Sequence, residues 1–305
     1  VTRDPRPATR SLLLLLLIAA CREAPRVREF DGPSAFRYIE TQVGFGPRVP
    51  NTEAHAKTAA WLDSVLRARC DSVVTQTWDH VTAKGDTLHL TNFIARFNPR
   101  AEKRILFLAH WDSRPTTDAP TSTDSSKAVP GANDGGSGVA LLLGVADVLK
   151  KTPTTLGVDL LFDDGEDYGD FNAKPANDVL IGARYYAAHQ VSGPKPLYAV
   201  LWDLVADKDL QIYEEGNSLI GAPEVVDRVW ETAKELGHST YFIPSPKHTL
   251  IDDHLELQKA GIRAIDVVDF DYPAWHTVGD TMDKVSAASL QIVGDVAVGL
   301  VRKEQ

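Results

Sequence analysis

Cysteine is nearly absent from this chain. The 305 residues hold two, Cys21 and Cys70, which is too few to staple a small fold, so a disulfide scaffold is excluded. Basic clusters are missing too. The 32 Lys and Arg are scattered among 42 Asp and Glu, for a net charge of −10. A chain of that sign with no Lys/Arg block has little with which to neutralise phosphates, so nucleic acid is not an expected partner. Long apolar runs are confined to residues 12–20, and nothing later approaches the ~20 residues of a spanning helix. What remains is an ordinary globular composition, 43% apolar and 24% charged, with length enough for a core that needs no staples.

The nine-residue apolar run 12–20 follows Arg3, Arg6 and Arg10 and ends in Ile18-Ala19-Ala20-Cys21. A basic start, a short apolar stretch and small residues before the cut describe a secretory leader. The ending resembles a bacterial lipoprotein box, so residues 1–21 read as a lipoprotein-type signal peptide with Cys21 as the lipidated residue. The alternative is an ordinary cleaved signal with an incidental cysteine. Either way the expected location is outside the cytoplasmic membrane, periplasmic or at the cell surface, with the membrane engaged only through an N-terminal lipid. Losing residues 1–21 removes three Arg and one Asp and moves the charge from −10 to −12. An acylated Cys21 leaves Cys70 without a partner, so no intrachain disulfide is expected. Residues 22–30 have no apolar period and read as a linker, and 31–305 as a single catalytic domain.

Within that domain, patterns of the two types alternate. Helices are expected over 52–70, 138–151, 181–189, 223–236, 253–260 and 286–303. The first of them carries Ala56, Ala60, Leu62 and Leu66 near one stripe. Strands are expected over 88–97, 104–110, 157–162, 197–204 and 262–268. Such alternation implies an α/β fold, a three-layer sandwich whose mixed, mainly parallel central sheet is flanked by helices on both faces. Residues 113–130, rich in Ser, Thr, Asp and Pro, read as a long loop, either functional or a surface excursion.

Ligands of open α/β sheets bind outside the carboxyl ends of the strands, and that is where the reactive side chains collect. His110 and Asp112 close one strand, and Asp134 stands in a glycine-rich turn before a helix. Glu166 and Asp167 follow the next strand, Asp203 ends another, Asp252, Asp253 and His254 open a helix, and Trp275-His276 follows the last strand. Singly, each has a plain alternative: Asp134 or Asp252 as a helix cap, Glu166 and Asp167 as a solvated turn, His276 as a loop histidine. Jointly, six carboxylates and two histidines at one sheet edge would repel one another without a cation. Imidazole and carboxylate without cysteine suits a zinc-like site, catalytic if one coordination position stays open. The other acids and most other histidines read as surface residues, and His254 is left open.

The blocks FLAHWDSRP, PGANDGGSGVALLL, LLFDDGEDYG, LWDLVAD, IDDH and GIRAIDVVDFDYPAWHTVGDT, in this order from about residue 35 to 303, resemble the zinc-dependent glutaminyl-peptide cyclotransferases. The likeness is to their bacterial branch, within the zinc aminopeptidase-like (M28) superfamily. The resemblance implies a zinc exopeptidase-like fold and a single zinc held by Asp134, Asp167 and His276, with Glu166 as general acid/base. Asp203 and Asp252 would complete a carboxylate network beside it. Trp275 would wall the substrate pocket, with Tyr168 or Phe171 in place of a second tryptophan. The implied activity converts the N-terminal glutamine of a peptide or protein to pyroglutamate with loss of ammonia.

In the related aminopeptidases a second zinc uses His110 and Asp203, with Asp134 bridging, and this chain keeps both residues. The alternatives are therefore a di-zinc aminopeptidase and, third, a metal-stabilised binding domain without catalysis, against which the intact Glu166 argues. Trp275 before the last ligand histidine, the doubled Asp252-Asp253 and the HWDSRP block with its long loop favour the cyclotransferase. One departure is Asp167, shorter by one methylene than the glutamate common there.

Overall fold

A computed structural model describes residues 1–2, 28–122, 125–174 and 176–305. The expected leader and Cys21, with most of the 22–30 segment, lie outside the described residues. The end of that segment is docked rather than free: Phe30 is buried against Gly144 and Gly294, and Glu29 pairs with Arg302. An aromatic side chain at that position has more to gain from the core than from water.

Helix α1 (Gly32–Phe45) is followed by α2 (Glu53–Arg67), the antiparallel hairpin β1 (Ser72–Val81) and β2 (Thr87–Phe97), and β3 (Arg104–His110). Then come α3 (Gly136–Lys151), β4 (Gly157–Asp163), α4 (Ile181–Ala188), β5 (Ala199–Asp203), β6 (Ile212–Glu214), α5 (Gly216–Gly221) and α6 (Pro223–Glu235). The chain closes with β7 (Phe242–Pro246), α7 (Asp253–Lys259), β8 (Ala264–Val268) and α8 (Ala287–Lys303). The main sheet runs β1-β2-β4-β3-β5-β8. β1 and β2 are antiparallel members, and β4, β3, β5 and β8 are mutually parallel. A small parallel pair, β6 and β7, stands apart. This is the mixed, mainly parallel sheet between helical layers that the alternation implied.

The period-2 rule of strands divides the core. Ile105, Phe107 and Ala109 of β3 face the cluster that holds α1, α3, α6 and α8, while Leu106 and Leu108 face the one with Ala183, Tyr186 and Leu257. Among the described residues no helix is long and apolar enough to cross a membrane.

Three local expectations change. The inward stripe of α2 is His55, Thr58, Leu62 and Leu66, and Ala56 and Ala60 are exposed. His55 turns inward because Asp164 waits there, 2.9 Å from its Nε2. His55 and His238 are therefore buried, not surface, histidines. The elements without a strong apolar period, α1, β1, α5, β6 and β7, were not anticipated from sequence.

The glycine-rich turn before α3 brings that helix against the sheet. A Cβ on Gly138 would sit 2.2 Å from the Trp202 carbonyl oxygen and 2.8 Å from the Ala109 Cβ. Backbone cannot yield as a flexible side chain can, so Gly138→Ala should destabilise the protein by about 1–3 kcal/mol. Denaturant unfolding measures this, and unchanged stability would show that α3 does not need so close an approach.

Candidate active site

Parallel pairing levels the strand ends. His110 of β3 is in register with Asp163 of β4, and Asp203 of β5 with Val268 of β8. Both histidines, Glu166, Asp167 and Asp203 therefore emerge along one edge. Asp134, just before α3, and Asp252, at the start of α7, reach the same edge from helix N-termini. Two of the plain alternatives fall. Asp134 does not cap α3, whose N-cap is Gly135, and Glu166 and Asp167 are buried rather than solvated. Asp252 does cap α7, through the Asp253 N–H, while also facing the site.

Two overlapping triads result, His110/Asp134/Asp203 and Asp134/Asp167/His276, each with its ligand atoms within 4.8 Å of one another. Asp134 belongs to both. Its Oδ1 lies 3.2 Å from His110 Nε2, and its Oδ2 lies 3.7 Å from His276 Nε2. Asp203 Oδ1 is 3.4 Å from His110 Nε2, and Asp167 Oδ1 is 3.2 Å from His276 Nε2. Glycine is required beside this cluster: Gly135 has φ +71°, and a Cβ there would stand 2.9 Å from the His110 ring.

Several residues that hold the ligands were not assigned that part from sequence. Asp112 accepts the backbone N–H of Glu166 and of Asp167, at 3.1 and 3.2 Å. Arg48, fully buried, donates to the carbonyls of Trp111, Pro130, Gly131 and Asp134 and so ties two ligand loops together. Asp280 accepts from the N–H groups of Asn133 and Asp134 and from the Tyr272 hydroxyl. In the long loop, Asp118 and Arg114 contact His276 and Asp167. Asp112 and Asp280 stood inside recognisable blocks, but Arg48 and Asp118 lie where sequence offers only a lone charge.

Like charges govern the titration here. Burial, then Asp167, pushes Glu166 well above the usual carboxylate range. Burial and Asp203 do the same to Asp252, and Asp252 in turn helps raise buried Asp266. Asp163 and Asp253 form a similar buried pair. Burial opposes the charged form of His276, but Asp167 and Asp118 outweigh it and raise the imidazole to about 9. His254, left open from sequence, is a core histidine with Nε2 3.3 Å from Glu215.

The aromatic residues divide. Trp275 stacks on His276 with centroids 3.7 Å apart, meets Phe270 edge-on at 4.9 Å, and packs with Leu204 and Leu250. Phe171 lies under the Arg114 guanidinium, close to Asp167. Tyr168 packs elsewhere, with Leu88, Leu90, Ile181 and Trp78.

Among the described residues, His110 Nε2, Asp134 Oδ2 and Asp167 Oδ2 are buried without a hydrogen-bond partner. Orphaned atoms of this kind cost free energy unless something binds them, and two imidazoles among carboxylates is a donor set that zinc accepts. The residues fit the metal.

A sequence profile of peptidase family M28 matches residues 92–301. The chain belongs to this family. It is 26% identical to the glutaminyl-peptide cyclotransferase of Drosophila melanogaster over 271 residues, 80% of this chain and 73% of that one. A glutaminyl cyclase of Bacteroides thetaiotaomicron superposes with a TM-score of 0.86 at 34% identity, covering 90% of this chain and 99% of that one. A leucine aminopeptidase precursor from the same species gives 0.87 at 34%, covering 90% and 98%. The protein is thus an enzyme of the zinc-dependent M28 family, with structural neighbours among bacterial glutaminyl cyclases.

An imidazole raised to about 9 is protonated at neutral pH in the metal-free M28 protein, and it must be neutral to ligate. Metal binding must therefore expel a proton. Zinc affinity should rise with pH by about tenfold per unit between roughly pH 6 and 8 and level off above the raised value. Competition with a chelating dye at several pH values measures it, and a flat profile would show that binding expels no proton from His276.

Proposed function

We propose that the protein is a glutaminyl-peptide cyclotransferase working with one zinc ion at Asp134, Asp167 and His276. The observation that carries the reading is the apolar cluster of Trp275, Phe270, Leu204 and Leu250, whose Trp275 stacks on the ligand ring of His276. Ring closure between two groups of one residue needs the chain folded back and water kept out, and an aromatic wall serves both ends. The likeness to the cyclotransferases points the same way. When bound, zinc supplies Lewis acidity toward the side-chain carbonyl of an N-terminal glutamine.

The protein's residues do the rest. Glu166, buried and raised in pKa, takes the proton from the α-amine as its nitrogen bonds to the side-chain carbonyl carbon, and returns that proton to the departing amide nitrogen, which leaves as ammonia. A carboxyl poised well above its ordinary range suits both halves of the task. Asp252, buried and itself raised with Asp203 beside it, helps keep that pKa high behind burial and Asp167.

A second reading rests on the other triad, since His110, Asp134 and Asp203 also converge. With a metal there as well, the same Glu166 would activate water against the first peptide bond, as in the aminopeptidases. Export as a lipoprotein anchored at Cys21 also belongs to this proposal and rests on the leader pattern alone.

The test incubates the zinc-loaded protein with one peptide beginning in Gln and one in Leu and reads both by mass. Loss of ammonia from the first with the second untouched is the expected result. Release of free leucine would make it an aminopeptidase, and no change in either with metal bound would favour a binding domain. Glu166→Gln should lower turnover by about 10²–10⁴-fold with zinc retained, and an active variant would remove Glu166 from the proton path.

A further inference from the structure

The 113–130 loop, ambiguous in sequence, grips the metal site. Asp118 Oδ1 accepts from His276 Nδ1 at 2.8 Å, which leaves the Nε2 lone pair facing Asp134 and Asp167. The same carboxylate takes two donors from Arg114, Nε at 2.8 Å and Nη2. Arg114 Nη1 in turn reaches the Asp167 carbonyl and its Oδ1, both at 3.0 Å. With Oδ1 occupied, the Asp167 oxygen left buried and unpartnered is Oδ2. The loop also holds the His276 backbone, since Ala119 N–H and the Ser122 hydroxyl both donate to its carbonyl, at 3.4 and 3.3 Å. His276 has φ +53°, a left-handed conformation uncommon outside glycine.

The other triad has weaker support. His110 Nδ1 makes a long hydrogen bond to Asp112, 3.4 Å against 2.8 Å for His276 and Asp118, and stands 3.7 Å from Glu166. The Asp203 side chain is 14% exposed, and its one hydrogen bond from the protein comes from the next residue's N–H.

We propose that Asp118 and Arg114 are positioning residues that present His276 Nε2 and one Asp167 oxygen to the same ion, making Asp134/Asp167/His276 the tighter of the two metal positions and coupling the order of the 114–122 segment to its occupancy. The Arg114 grip also gives a short aspartate the fixed direction that its side chain alone does not. Because coupling is reciprocal, an ion that needs this loop in place must also hold it in place.

The test measures zinc affinity of the purified full chain by competition with a chromophoric chelator, without substrate, so it stands apart from the reaction assigned above. Asp118→Ala and Arg114→Ala should each weaken zinc by about 10- to 100-fold. The double variant should lose less than the product of the two, because both act through one contact network. Asp118→Asn should recover much of the loss, since its amide oxygen still accepts from Nδ1. Hydrogen exchange of residues 114–122 should slow when zinc is added to wild type. Zinc affinities within about threefold of wild type in both alanine variants would overturn the proposal, as would an Asn variant no better than the Ala variant or exchange indifferent to zinc. Should Asp118→Ala fail to fold, Arg114→Ala together with Asp118→Asn decides the matter in the same way.

Discussion

Everything at the active edge depends on one buried carboxylate placed between two histidines. Asp134 turns an oxygen toward each of His110 and His276 while Asp167 and Asp203 stand close by. Two unit charges of the same sign 4 Å apart repel by about 4 kcal/mol even in a partly screened interior. A cluster of four or more such acids, nearly all out of water, persists only if protons, arginines or a metal balance it. The structure uses the first two wherever it can. Burial raises Asp163, Asp252, Asp253 and Asp266 toward the protonated form, and Arg114 sits on Asp167. Among the described residues Asp134 Oδ2, Asp167 Oδ2 and His110 Nε2 have no hydrogen-bond partner and belong to the two overlapping triads, and that is the point left for a cation.

The scaffold exists to hold that point still. Parallel strands deliver His110, Asp203 and the Glu166 loop to one edge, and the α3 helix approaches closely enough to deliver Asp134 because its first turn is built from glycine. Buried Arg48 and Asp280 then satisfy the backbone of the ligand loops from opposite sides, one by donating and the other by accepting. Loops carrying this many polar groups could not be buried otherwise, since each unpaired N–H or carbonyl would cost as much as a lost hydrogen bond.

Two activities fit nearly the same polar residues, so the discrimination between them moves outward, to what surrounds the ligands. On one side lies an apolar aromatic wall against His276, backed by the long loop. On the other, His110 and Asp203 converge with little to fix them. On the reading proposed above, water access and the relative tightness of the two adjoining positions would set the balance between ring closure and hydrolysis, with Glu166 as base in either.

Much of this was legible in the residues themselves. Buried parallel strands are continuous apolar runs, so β3, β4, β5 and β8 stood out, and strand ends followed by acids and histidines marked the edge. The motif blocks put Asp134, Glu166, Asp167, Asp203, Asp252 and His276 in one site, and the fold brought all six together. What sequence alone did not decide was anything that depends on a partner distant in the chain. β1 and α1 have weak periods and are recruited by neighbours. His55 joins the buried stripe of its helix to meet an aspartate 109 positions away. Asp118 contacts a histidine 158 positions away, and Arg48 the backbone of a loop more than 80 away. Local propensity and motif chemistry are written along the chain, whereas the pairing of buried charges is a three-dimensional requirement that only the packed structure can state.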